Sequence, residues 1–393
     1  MHAGAILQKC FADVFNAMHA ARVEVLTLAV QALITARRLV LMDLARSWPG
    51  ADRVRTPLKR LDRLLSNPHL HQQRHWLYRA LAHRAIQSSE PLIVVDWSVL
   101  KADESWHLLR AAIAVGGRTL TLYEEVHCGR TQQSPAVHRA FLRRLQRVLP
   151  AHCRPIIVTD AGFRCPWFRE VQALRWHWVG RVRNRVYLKL QHATDWQLSA
   201  TLLLSRARCT VFNTIQLVRA RPLWCQLLRY LGGRGGRKHR TRRGQVCRGK
   251  HSREAARSHR EPWLIAYSNS LGDRPPEQIV KLYQARMQIE QGFRDLKCDR
   301  YGCAFDHSLT RKRARLEILL LLHALASFVT WLHGLWLTGQ AQTAHCVTQP
   351  NPPRAHYSIV RIGWESLRRG LHPPPVVCWR HGHIPPWLMS HLG

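Results

Sequence analysis

Acidic residues are scarce in this chain: 24 Asp and Glu stand against 60 Lys and Arg, leaving a formal net charge of +36 with neutral histidines. That imbalance argues against an ordinary metabolic enzyme and calls for a polyanionic partner, either nucleic acid or an acidic membrane surface. Cys-x-x-Cys pairs are absent. The 11 cysteines are an odd number scattered from Cys10 to Cys378, which argues against a disulfide framework and a zinc site. Cys378, His381 and His383 lie close together, as do His69, His71 and His75, but 24 histidines produce such clusters by chance. The opening MHAGAILQKCFADVFNAMHAARVEV alternates apolar and polar residues at helical spacing and lacks a small-residue cleavage site, so a reduced, cytoplasmic setting is expected. Long apolar runs are nearly lacking. The single bilayer-length run, residues 316–337, is interrupted by Glu317, His323 and His333, and reads as the core helix of a folded domain rather than a membrane span. Hydrophobic residues reach 46%, too many for a basic tail that never folds.

What is present falls into segments. Residues 1–85 read as short helices with a basic outer face, suited equally to DNA docking or to packing, and one helix is expected to stop at Asn67-Pro68. Composition changes at Pro91. PLIVVDWSVL, LLRAAIAVGG and RTLTLYEEVH read as strands, AVHRAFLRRLQRVL as a helix, RPIIVTDAGF as a buried strand, PWFREVQALR as a helix and WHWVGRVRN as a strand. This order gives an α/β domain with a mixed sheet. From 186 to 266 the texture becomes β-rich, with RVYLKL, WQLSATLLL, CTVFNTIQLV and PLWCQLLRYL as strands. A glycine-rich basic run follows, and Arg237, Lys238, Arg240, Arg242 and Arg243 within it suit contacts to phosphate oxygens. EPWLIAYSN returns to strand character, a long helix follows PPEQ at 275–278, and the Pro-rich tail from Gln340 has no clear fold.

With so few acids, an acid inside an apolar strand stands out. Asp96 sits within LIVVDWSV and Asp160 ends IIVTD. A buried carboxylate needs a hydrogen-bond network or a cation. Either Asp alone reads as bonded to backbone; together, at the ends of neighbouring strands, they suggest a divalent-metal site. On the late helix, at about 100° per residue, Arg286, Glu290 and Lys297 fall about 60°, 20° and 40° to one side of Tyr283. Taken alone, that stripe reads as an exposed, salt-bridged face. Combined with the two Asp residues, Glu290 completes a three-carboxylate set for two Mg²⁺ ions, the chemistry of in-line phosphodiester displacement. Tyr283, Arg286 and Lys297 would then hold phosphates.

These residues resemble the DDE transposases of bacterial insertion sequences. The pattern Y-x2-R-x3-E-x6-K, here Tyr283, Arg286, Glu290 and Lys297, resembles the insertion sequence four family. TDAGFRCPWF, VGRVR and YQARMQIEQGFRDLK look like its transposon ten branch. The resemblance covers roughly 90–335. It implies an RNase H-like α/β core with a β-rich insertion, preceded by an all-α N-terminal DNA-binding domain. The expected boundaries are 1–85 (helical), 86–185 (core), 186–266 (insertion), 267–340 (core with the Glu helix) and 341–393 (tail). It further implies Asp96, Asp160 and Glu290 as catalytic, metal-binding residues for two Mg²⁺ ions, with Mn²⁺ as a substitute. The expected partners are double-stranded DNA, as terminal inverted repeats and target, and a second copy of the chain, with no membrane and a nucleoid-associated location. Trp263 in EPWLIAY occupies the position of a tryptophan that accepts a flipped base during hairpin formation. Met287 follows Arg286 where some relatives carry a second Trp.

Overall fold

A computed structural model describes residues 2–101, 103–183, 186–204, 207–232, 261–343 and 357–371, with residues 245, 249 and 346. Arg237, Lys238, Arg240, Arg242 and Arg243 lie outside the described residues, as do Cys378, His381 and His383. The chain forms two compact units: Met1–Cys153 with Met287–Gly393, and Arg154–Arg286.

The first unit opens with six helices: α1 (His2–Cys10), α2 (Ala12–Asn16), α3 (Ala20–Ala36), α4 (Leu41–Arg46), α5 (Arg55–Leu65) and α6 (Pro68–Ala85). Asn67-Pro68 both ends one helix and starts the next. The Asn67 side chain accepts the Leu70 N–H at 2.9 Å, and Pro68 takes the first-turn position where no amide donor is needed. On α5, Leu61, Leu64 and Leu65 are buried, while Arg55, Lys59, Arg60 and Arg63 are exposed. An antiparallel meander follows: β1 (Leu92–Val99), β2 (Trp106–Ala114) and β3 (Thr119–Cys128), then α7 (Pro135–Val148). The β2–β3 turn runs through Gly116 and Gly117 at φ 64° and 84°, a left-handed conformation that suits glycine. β3 is buried along nearly its whole length because helices pack on it, so it lacks the polar–apolar alternation of a half-solvated strand.

The second unit begins with β4 (Ile156–Thr159), crosses through α8 (Cys165–Ala173) and returns parallel as β5 (His177–Val182). Then come β6 (Tyr187–Leu190), β7 (Gln197–Leu198), β8 (Cys209–Leu217), β9 (Leu223–Tyr230), β10 (Trp263–Tyr267) and α9 (Pro276–Gln284). Within this unit the strands run β4-β5-β10-β9-β8-β6-β7. Both units thus combine helices with sheet, the parallel β4–β5 pair and the antiparallel remainder giving the mixed α/β architecture expected of an RNase H-like core. WQLSATLLL is a strand for only two residues. The Thr201 hydroxyl donates to the Leu198 carbonyl at 2.8 Å, and the chain turns into a 3₁₀ segment at Ser199–Leu203.

The chain then re-enters the first unit with α10 (Met287–Lys297), α11 (Arg313–Gly339) and α12 (Ile359–Arg369). The single long helix expected after PPEQ is therefore two. The Arg286 N–H turns back to the Tyr283 carbonyl, three residues away, at 3.1 Å, which tightens the chain and ends α9. Beyond 340, where the prolines suggest no clear fold, the described residues include a helix. α12 is capped by Ser358, whose hydroxyl accepts the Arg361 N–H, and it packs on α11. At their crossing, a Cβ on Gly334 would stand 2.0 Å from the Ile359 carbonyl oxygen, and one on Gly363 would stand 1.8 Å from that of Thr330. Only glycine permits so close an approach of two backbones. α11 is buried from Leu316 to Leu337, enclosed by α3, α6, α12 and β3, as a core helix should be.

Candidate active site

In the first unit, β1 forms because Leu92–Val95 are apolar and mostly β-branched. Asp96 follows this run, half-buried, and its Oδ1 accepts the Trp97 N–H at 2.8 Å, which fixes the carboxylate beside its own strand. Ser98, two residues on, shares its face of the sheet. Directly opposite Asp96 on β2 stands Arg110, and opposite Arg110 on β3 stands Glu124. Arg110 Nε donates to Glu124 Oε2 at 2.7 Å, and the Tyr78 hydroxyl donates to Oε1 at 3.0 Å, with both charged residues 1% exposed.

α10 lies over this row. The Arg110 guanidinium carbon sits 5.2 Å from the Phe293 ring centroid. The Lys297 ammonium donates to Ser98 Oγ at 2.8 Å and to the Val99 carbonyl at 2.9 Å. Burial lowers the Lys297 pKa, Asp306 opposing and Arg110 adding to the effect. Glu290 is exposed in the first turn of α10, where the helix dipole favours a carboxylate. It precedes Phe293 by three residues and Lys297 by seven, and so shares their side of the helix. Asp96, Glu290 and Lys297 thus belong to one strand–helix layer.

The second unit holds the other residues. Asp160 follows β4 directly, and its Oδ1 accepts the Gly162 N–H at 2.8 Å in the Asp-Ala-Gly turn. Tyr283 on α9 is buried. Burial pushes its hydroxyl pKa up, Arg286 and Arg181 draw it down, and Asp160 raises it. These effects put Tyr283, Arg286, Arg181 and Asp160 in one electrostatic neighbourhood. The Arg286 guanidinium carbon is 5.9 Å from the Tyr283 ring centroid, and Trp263 meets that ring edge-on at 5.1 Å. Trp263 is half-buried at the start of β10, and its ring centroid is 6.0 Å from that of Tyr230. Glu261 binds both Arg181 and Arg183, at 3.1 and 3.0 Å.

Each unit therefore gathers part of the expected set: Asp96, Glu290 and Lys297 in one, Asp160, Trp263, Tyr283 and Arg286 in the other. Among the described residues no three His, Cys, Asp or Glu side chains are grouped to hold an ion. The donor chemistry of the three acids nevertheless fits Mg²⁺. All are hard oxygen ligands, and in each Asp one oxygen is oriented by a backbone N–H, as outer-shell bonds orient metal ligands. Arg110 and Glu124 escaped the sequence reading, although the rule that singled out Asp96, a charge within an apolar strand, applies equally to LLRAAIA and LYEEV.

Residues 87–329 match the family model of the transposase DDE domain, a span that contains all seven of these residues. No protein of curated function matches the chain. Among solved structures it is similar to a chain in a cryo-EM structure of a piggyBac transposase synaptic complex with hairpin DNA. The identity is 12% and the TM-score 0.40, over 100% of this chain and 77% of the other.

Proposed function

This chain belongs to the transposase DDE-domain family and is a DDE transposase; from that premise we propose that it moves an insertion sequence of the Y-R-E-K group by cut-and-paste transposition. Asp96, Asp160 and Glu290 act as the catalytic carboxylates and would hold two Mg²⁺ ions. Bound there, the pair supplies activation of the attacking oxygen and stabilisation of the leaving one. Water, then the freed 3′-hydroxyl, then water again attack successive phosphodiesters, and the last 3′-hydroxyl attacks target DNA. Tyr283, Arg286 and Lys297 position phosphates in line, and Trp263 takes up a flipped base at the hairpin stage. The exposed basic face of α5 and the glycine-rich basic run grip the terminal repeats. Two DNA ends require two protomers, hence a homodimer in the synaptic complex, located with the nucleoid in the cytoplasm.

One observation carries this reading. Lys297 is bonded to Ser98 and Val99 on the strand of Asp96 and shares a helix side with Glu290, so the fourth residue of the Y-R-E-K pattern fastens the helix of Glu290 to that strand, which supports the reading. The test separates binding from chemistry. Asp96→Asn, Asp160→Asn and Glu290→Gln should each bind a terminal-repeat duplex as the unaltered protein does while losing Mg²⁺-dependent nicking. Loss of binding with unchanged cleavage per bound complex would defeat the assignment. Trp263→Ala should nick but form hairpins poorly, and a normal hairpin yield would remove its stacking role.

A further inference from the structure

The unit formed by residues 1–153 and 287–393 contains a cavity of about 430 Å³, walled by β2, β3, α10, α11 and the first turn of α12. Neither Asp96 nor Glu290 lines it. Five arginines do, against a single carboxylate, Asp295. Among the described residues, two of the five, Arg37 and Arg361, have only a shared carboxylate outside the wall. Arg118 is held by Asp295 at 2.5 Å, while Arg37, Arg361 and Arg368 all share Glu365. Burial lowers the Arg37 pKa and the neighbouring Arg361 adds to the effect, with Glu365 opposing it.

Two independent features point to an anionic ligand. Arg110, 1% exposed, gives its Nε to Glu124, yet its Nη2 is buried with no hydrogen-bond partner among the described residues. Nδ1 of His323, 5% exposed on the same wall, is likewise unpartnered. A buried donor without an acceptor is a standing energetic cost that an anion entering the cavity would relieve. In addition, the N-terminal turn of the 11-residue helix α12 lines the same space; Ser358 Oγ already takes the Arg361 N–H, and the helix dipole adds positive potential there. Burial and Arg110 push the His323 pKa down to about 3, so it would meet an anion as a neutral hydrogen-bonding group.

We propose that this cavity is a phosphate-binding site, separate from the catalytic carboxylates, which takes a phosphate-bearing group up to the size of a mononucleotide. Planar guanidinium forks lining the same cavity as a helix N-terminus suit the several oxygens of a phosphate. The volume falls within the range of small-molecule pockets.

The test uses the full chain in metal-free buffer, with inorganic pyrophosphate as the probe and calorimetry as the readout. Saturable binding at one site per chain is expected. Arg118→Gln and Arg361→Gln should each weaken it roughly ten-fold or more, as loss of a charge-assisted bond does. Arg143→Gln, on the exposed side of α7, should leave it unchanged. A melting temperature for each variant excludes unfolding as the cause. Equal binding by all three variants, or none by the unaltered protein, overturns the proposal. A duplex oligonucleotide then identifies the natural source. Displacement of pyrophosphate assigns the site to strand phosphate, and co-binding assigns it to a free phosphate compound. No cleavage is read, so this result stands or falls apart from the catalytic reading.

Discussion

Lys297 Nζ lies 2.8 Å from Ser98 Oγ, which fastens the C-terminal end of the helix bearing Glu290 to the strand bearing Asp96. A second donation, to the Val99 carbonyl, makes the attachment bidentate. Lys297→Met should therefore lower stability by about 1.5–3 kcal/mol, the range for hydrogen bonds to a charged group. It should also slow nicking more than it weakens DNA binding. Urea unfolding and a single-turnover nicking assay report the two effects separately. If only DNA affinity falls, Lys297 contacts DNA without organising the acids.

The Arg110–Glu124 pair is buried on the sheet face under α10, and losing one partner strands the other charge. Glu124→Leu should destabilise by about 3–5 kcal/mol. Tyr78→Phe, which removes one neutral donor to the same carboxylate, should cost about 1 kcal/mol. Replacing Arg110 and Glu124 together by apolar residues should cost less than Glu124→Leu alone. A double variant as unstable as the sum of its singles would show that the ion pair is not the unit that matters.

These two relationships differ in how visible they are in the sequence. Asp96, Asp160 and Glu290 stand out because acids are rare here, and the strands around the Asp residues have strong apolar runs with turn residues between them. Register is different. That Arg110 faces both Asp96 and Glu124 depends on hydrogen bonds between distant segments, and no local pattern encodes it. The break between α9 and α10 is similarly hidden, since neither Ala285 nor Arg286 disfavours helix. α12 was obscured by its Pro-rich surroundings, although Ser358 and Gly370 bracket it as start and stop signals.

Acid should unfold the first unit early. Burial, with His127 adding, holds the His138 pKa down to about 4, and burial with Arg110 holds His323 down to about 3. Both folded values lie below the ordinary 6.5, so the unfolded chain binds more protons between them and stability falls as the pH drops from 6.5 toward 4 and then 3. His138 also loses a bond on protonation, because its Nε2 accepts the Trp97 indole N–H at 3.0 Å. Against its burial, bonds from His127, Tyr123 and Arg144 hold Glu125 at about 2, which extends the decline below pH 4.5. Denaturant midpoints should fall continuously from pH 7 to 4, and His138→Gln should reduce the slope. A flat profile across that interval would show that these rings are solvated.

Gly363→Ala and Gly334→Ala should each separate α12 from α11, since the added methyl meets a carbonyl oxygen fixed in a helix. The expected loss is about 1–3 kcal/mol, the range for overpacking. Gly370→Ala is a useful contrast. Among the described residues nothing crowds it and only its φ of 67° resists a side chain, so it should cost about 1 kcal/mol. Calorimetric melting of the three variants ranks them. A Gly370 variant as damaging as Gly363→Ala would mean that helix termination, not the crossing, secures this region.

The enclosure of α11 has a consequence for handling the chain during synthesis. Its apolar surface, on all sides of a segment long enough to span a bilayer, is hidden only once both the N-terminal helices and α12 have arrived. α12 is made after α11. Until then, the emerging polypeptide displays a stretch that chaperones and insertion machinery are built to recognise, so truncated fragments ending near residue 340 should aggregate or partition into lipid rather than persist in solution.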